Sequence, residues 1–296
     1  MHQIRLLGPI ASRHFLLSST TLLRLLAVGL AIGCADRGPP TDETSRRKPV
    51  LVGSRVVRAP DNPRFHADTQ LTFQGRRLNE GCVFERAVTM GLGEHVVERV
   101  AEYDLETCLY VVERGSYDHP SGAPPHRHGD TSSTTKVHLG APRPSSSVSG
   151  GPTPPMFSST TLTSSCARQH LWFQEPLGID VSNSELHVIW EWDGELVWNS
   201  WAELASLAYE PSGWRVMYHD LHSDYLSNGT GVTTNGYSEM ENGSFPCPSP
   251  SATWTYYWPN SITQWGYGQV TFYHSAYASG GCSNFLTLYT EQWTEY

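Results

Sequence analysis

Between Leu186 and Trp192 the side chains alternate without a break, with Leu186, Val188, Trp190 and Trp192 on one side and His187, Ile189 and Glu191 on the other. An extended backbone sends successive side chains to opposite faces, so this run can bury a single apolar face only as a β-strand. Asp193-Gly194 follows at once, and that pair supplies the positive φ a tight hairpin needs; Glu195 to Trp198 then returns. The same grammar continues to the C-terminus. Pro211-Ser-Gly213 turns the chain into Trp214 to His222, where Trp214, Val216 and Tyr218 alternate with Arg215 and Met217. Asn228-Gly and Asn242-Gly bracket a strand over Val232 to Met240, and two late strands, 269–277 and 284–293, alternate around Val270, Phe272, Phe285 and Leu288. Ser200 to Leu207 fits one or two helical turns. About eight short strands with turn signals at this spacing predict an antiparallel β-sandwich or partly closed barrel over residues 166–296.

Composition sets this region apart. All ten tryptophans fall between Trp172 and Trp293, and the stretch from Cys166 to Tyr296 holds two basic residues, Arg168 and Arg215, against fourteen acidic ones. Phosphate-backbone binding rests on Lys and Arg, so nucleic acid is excluded as a partner, and an anionic membrane surface is disfavoured. Cationic partners or divalent cations suit such a surface better.

The first 33 residues carry Arg5, Arg13 and Arg24 and no acid, then the apolar run Leu25 to Gly33, then Cys34. A basic start, a short apolar core and a small residue before the cut describe an export signal, too short to span a bilayer permanently. Leu30-Ala-Ile-Gly-Cys34 resembles a bacterial lipoprotein signal, with Ala31 where leucine is usual. Residues 1–34 are therefore expected to be a lipoprotein-type signal, with lipidation at Cys34; cleavage nearby without lipid is the alternative. Each buried methylene of such a lipid adds about 0.8 kcal/mol of anchoring. Of the six cysteines, none forms a CxxC, and in an exported protein disulfides are expected. Cys82 with Cys108 and Cys247 with Cys282 are the expected pairs, since each lies within one expected domain; Cys166 is left over.

Residues 35–69, rich in Pro, Arg and Asp, read as a tether. Residues 70–115 read as a small β unit, with short strands at Leu71–Phe73, Cys82–Val88 and Cys108–Val112, stapled by a Cys82–Cys108 bridge. Val96 to Tyr103 fits a strand, while Val97, Val100 and Ala101 also fit a helical face. Residues 116–165 collapse to Ser, Thr, Pro, Gly and His and read as a low-complexity linker. The expected fold is all-β: stapled N-terminal unit, linker, C-terminal sandwich.

Chemistry is weakly signalled. On a strand, Asp220, His222 and Asp224 project to one face at steps of two and could hold a divalent cation; the alternative is a polar strand end. Glu191, Asp193 and Glu195 crowd a hairpin tip and could bind calcium, serve as hydrolytic carboxylates, or be ordinary turn charges. Four histidines, His119, His126, His128 and His138, lie in the expected linker. No GxSxG, HExxH, Walker loop or GxGxxG follows the leader, so no catalytic residue is assigned and the reading leans away from an enzyme. Trp190, Trp192, Phe272 and Phe285 are expected in the core. Trp254, Tyr256, Trp258, Trp265 and Tyr267 lie beside Pro and Gly in expected loops, where exposed rings can stack on sugars or contact a protein; filling the ends of the sandwich is the alternative.

Several short runs carry a resemblance: Glu102-Tyr-Asp-Leu-Glu-Thr-Cys108, Leu177-Gly-Ile-Asp-Val181, Ile189-Trp-Glu-Trp-Asp-Gly194, Ser212-Gly-Trp214 and Gly280-Gly-Cys282. On these the chain resembles, over about residues 70 to 296, a loose group of uncharacterised exported bacterial proteins. The resemblance implies a small Cys-containing unit and a Trp/Tyr-rich β-domain, and brings no activity or catalytic residue. The expectation is a lipid-anchored or secreted extracytoplasmic protein without catalysis or cofactor, binding a cell-surface polymer or protein partner. A carbohydrate-binding module using the exposed aromatics is the first alternative. A secreted hydrolase with carboxylates among Glu191, Asp193, Asp220 and Asp224 is the second.

Overall fold

The alternation at Leu186–Trp192 runs through the whole structure. The computed structural model describes residues 56–78, 81–118, 131–142, 161–226, 229–243 and 251–296, and among them the fold is all-β, two antiparallel sheets with 3-10 turns as its only helical pieces. One sheet runs β2 (Phe65–Gln74), β6 (Leu109–Tyr117), β5 (His95–Asp104), β15 (Thr287–Glu295), β8 (Thr163–Gln174), β9 (Asp180–Trp192), β10 (Val197–Ala208), β7 (Thr131–Leu139), with β1 (Val56–Arg58) also paired to β5. The other runs β11 (Trp214–Tyr225), β12 (Gly231–Asn242), β13 (Thr253–Trp265), β14 (Val270–Gly280), β4 (Gly81–Met90), β3 (Arg76–Leu78).

The sheets pack face to face, as period-two strands with one apolar face require. Leu186, Val188 and Trp190 of β9 and Leu204 of β10 meet Val232, Ile262 and Phe272 of the facing sheet, all fully buried. Leu171, Phe173, Leu288, Phe84 and Tyr110 form a second cluster. Each such side chain contributes roughly 1.5–3 kcal/mol on burial. A polar row also crosses the interior. Gln169 donates to Asn260 Oδ1 at 2.7 Å, Asn260 Nδ2 to the Ser184 carbonyl at 3.1 Å, and the Tyr257 hydroxyl to the Ser182 carbonyl at 2.9 Å. Each bond joins one sheet to the other, so these buried donors find acceptors across the interface.

The expected division into separate parts does not describe these sheets. β4 pairs with β14 from Phe84↔Ala276 to Met90↔Val270, and β5 pairs with β15, so strands from 70–115 complete both sheets of the C-terminal region. Pro49–Tyr296 is one compact unit. The Cys82–Cys108 disulfide forms as expected, but it joins β4 of one sheet to the turn before β6 of the other. Within the expected tether, β1 pairs with β5 and β2 with β6. Within the expected linker, β7 pairs with β10 along its whole length, half-burying Ser133, Thr135, Val137 and Leu139. Polar edge strands bury too little apolar surface to be distinguished from coil by composition. Val96 to Tyr103 is strand, with Val97 and Val100 in different clusters, and Ser200 to Leu207 is strand within β10. Phe285 is not core: it ends a 3-10 turn, Ser283–Phe285, and is 56% exposed.

The runs that carried the family resemblance occupy turns. Leu177–Val181 closes β8 onto β9, and Asp193-Gly194 closes β9 onto β10. Gly280 has φ +93°, and a Cβ there would stand 1.9 Å from the Ala252 carbonyl oxygen, so only glycine fits. Cys282 is disulfide-bonded; its expected partner Cys247, the leader with Cys34, and His119, His126 and His128 lie outside the described residues. Cys166 is a free, half-buried thiol, pushed up in pKa by burial and by the Glu295 carboxylate.

Candidate functional site

Inward positions of β11–β14 are buried or half-buried, and the outward positions alternate with them. In β12, Val232, Thr234, Gly236, Ser238 and Met240 are buried, which turns Tyr237, Glu239 and Glu241 outward. In β13, Thr253, Thr255 and Tyr257 are buried, which turns Trp254, Tyr256 and Trp258 outward. Antiparallel pairing then lines these residues up across the sheet. Tyr218 stands opposite Glu239, Glu239 opposite Tyr256, and Tyr256 opposite Tyr277.

The result is a continuous band of rings. Tyr256 stacks on Tyr277 with centroids 4.4 Å apart, and on Trp254 at 6.1 Å. Trp258 meets Tyr256, Tyr237 and Tyr218 edge-on at 6.5, 6.3 and 6.3 Å. His222 stacks on Tyr237 at 5.8 Å. Trp258 is 45% and Tyr218 44% exposed. A contiguous exposed aromatic surface of this kind marks an interaction site more often than chance packing. Partial burial pushes up the Tyr218 hydroxyl, with the Asp220 and Glu239 carboxylates adding to it; Tyr256 and Tyr277 are raised similarly, again by burial first.

Of the five aromatics expected in loops, four belong to β13: Trp254, Tyr256 and Trp258 within the band, and Trp265 at the end of the strand. Pro259 suggested a loop, but it sits at a bulge between Tyr257 and Asn260, where the Trp258–Pro259 peptide is cis. Trp265 and Tyr267 form a separate stacked pair, centroids 5.7 Å apart, at the far end of the same strand and in its turn. Seven residues of strand separate Trp258 from Trp265, about 23 Å at the usual rise. Tyr218, Tyr237 and Tyr277 were not anticipated as part of the site; the period-two placement of Tyr237, Glu239 and Glu241 was the available signal.

Asp220, His222 and Asp224 do share the outer face of β11, as expected. They do not converge: Asp220 accepts from the Tyr218 hydroxyl at 3.5 Å, while His222 Nε2 lies 3.7 Å from Asp224. Among the described residues no group of three or more His, Cys, Asp or Glu is placed to hold a metal ion. At the hairpin tip, Asp193 is committed to its own turn, accepting from the Glu195 and Leu196 amides and from Trp198 Nε1 at 2.8 Å. Those bonds hold its carboxyl below the ordinary range against the opposing effect of burial. Glu191 accepts from Asn199. These two acids stand at the β9–β10 hairpin of the nine-stranded sheet, and Asp220 and Asp224 stand on β11 of the other. His138 stacks on Trp201 at 4.9 Å.

A concave feature lies where the six-stranded sheet parts. β4 and β14 stop pairing at Phe84↔Ala276, and a cleft of about 960 Å³ opens there, with Phe84, Tyr103, Tyr110, Phe285 and Leu286 among its walls. Burial pushes the Tyr103 hydroxyl up to about 12. Tyr256 and Tyr277 belong to both this cleft and the aromatic band, so the two features are continuous. No protein-family model, curated protein or solved structure matches the chain.

Proposed function

We propose that this is a non-catalytic carbohydrate-binding protein that lays a glycan polymer against the outer face of its six-stranded sheet. One observation carries the reading: Tyr218, Tyr237, Trp258, Tyr256, Trp254 and Tyr277 form an unbroken aromatic band on that face. A sugar ring presents a face of C–H groups, which packs on an aromatic ring, and a rim of hydroxyls, which need acceptors. Here the acceptors alternate with the rings: Asp220 opposite Tyr237, Glu239 opposite Tyr256, Glu241 opposite Trp254. Protein interfaces deplete charge at their centres, so interleaved carboxylates favour a hydroxylated ligand over an apolar protein partner. The leader ending at Cys34 and the Cys82–Cys108 disulfide support display outside the cytoplasm, through a lipid on Cys34.

The test is a pull-down on insoluble polysaccharides, paired with tryptophan fluorescence during titration with soluble fragments. Wild-type protein should be retained and its emission should change. Trp258→Ala with Tyr256→Ala should weaken retention at least about tenfold, as loss of two aromatic anchors does. A folded wild type that ignores every polysaccharide would end this reading.

A further inference from the structure

The aromatic band carries an excess of carboxylates along β11 and β12. Glu239 stands in a transverse row between Tyr218 and Tyr256, and Tyr237 is its outward neighbour along β12. Asp220 and Glu241 occupy the adjoining rows. Arg215, the single arginine or lysine of strands β11–β14, is already committed to Glu241 at 2.6 Å. Among the described residues Glu239 has no ion pair, and Asp220 accepts only the Tyr218 hydroxyl. Aromatic faces carry negative quadrupole density, and a carboxylate beside them strengthens the attraction for a cation. A neutral sugar replaces the water on Glu239 and Asp220 with hydroxyl donors but leaves their charge uncompensated, and an anionic ligand would be repelled.

Resting on the glycan-binding reading, we infer that the polymer taken by this face bears free amino groups: a deacetylated amino-sugar chain. One ammonium sits at Glu239 between the rings of Tyr218 and Tyr256, and a neighbouring sugar packs on Trp258. A lysine-rich segment satisfies the charge but offers no ring face of C–H groups to the tyrosine–tryptophan surface, which favours the sugar.

The experiment titrates the full chain with a glucosamine hexamer, its fully N-acetylated counterpart and hexalysine, by calorimetry, at a pH where the amines are protonated. The glucosamine oligomer should bind about tenfold or more tighter than the other two, and its affinity should fall as salt is raised. Glu239→Gln should lower the affinity for the glucosamine oligomer far more than that for the acetylated one, and so erase the preference; Asp220→Asn should reduce it in part; Trp258→Ala should weaken both sugars. Thermal unfolding of each variant checks that it is folded. Equal or tighter binding of the acetylated oligomer overturns the amine requirement and leaves the glycan reading standing. Hexalysine binding as tightly as glucosamine overturns the sugar assignment; binding of neither sugar by wild type overturns the amino-sugar inference, and the glycan reading falls with it only when the polysaccharide pull-down is blank as well.

Discussion

At the scale of the residue, the buried charge at Glu98 has the largest consequence. Its side chain is 1% exposed, on the inner side of β5. Arg86 of the facing sheet donates to it at 3.0 and 3.2 Å, and Arg114 of the neighbouring strand at 2.7 Å. Burial alone would raise this carboxyl, but the two guanidinium groups hold it below the ordinary range. Its pKa is therefore lower folded than unfolded, so the pairing stabilises fully above the unfolded value, about 4.3, and is lost as pH falls through the folded one. Glu98→Gln leaves Arg86 with no carboxylate in a nearly closed site. Breaking a buried pair from one side costs about 3–5 kcal/mol, so the urea midpoint at neutral pH should drop accordingly. The variant should also lose less stability than wild type when both are taken below pH 4, roughly. Equal midpoints at neutral pH would mean that the three groups do not act as a unit.

At the scale of the element, the disulfide does more than close a hairpin. It bridges 26 positions and pins β4 to the turn before β6, and so pins one sheet to the other. Closing a loop of that length in the unfolded chain is worth about 3–4 kcal/mol on the chain-entropy account. Cys82→Ser with Cys108→Ser should lower stability by about that amount. The cleft between β4 and β14 should gain mobility at the same time, seen as faster amide exchange over 81–84 and 276–280 than over the β9–β10 hairpin. That hairpin was legible in the sequence because its cause is local: strict alternation followed by Asp193-Gly194. β7 was not legible, since Ser133 and Thr135 on its inner side look like linker composition, and only pairing with β10 makes them strand. Pairings such as Phe272↔Val88 join positions far apart in the chain, and nothing near either residue announces the partner. The candidate site divides in the same way. Trp254, Tyr256 and Trp258 could be picked out by residue type, but Tyr218 and Tyr277 join them only through strands that lie on either side of β12 and β13.

At the scale of the whole molecule, strand order makes the N-terminal third indispensable. β15, the last strand, lies between β5 and β8, and β14 lies between β13 and β4. A fragment limited to 166–296 keeps the aromatic residues but loses β4, β5, β6 and β7. Phe272 and Val270 would then border an open sheet edge, and Leu288 would lose the Val100, Tyr110 and Val112 side of its cluster. An open, apolar edge pairs with other chains as readily as with its own partner. Residues 166–296 expressed alone should therefore aggregate or unfold without a cooperative transition, and should bind an apolar dye. A chain beginning at Val56 should instead keep a single cooperative unfolding step, because β1 and every later strand retain their neighbours. Adding a 56–142 fragment to the 166–296 fragment should restore part of that transition, since the two together supply both sheets. A sharp, dye-silent transition from 166–296 by itself would show that the six-stranded face and its aromatic band stand without β4 and β5.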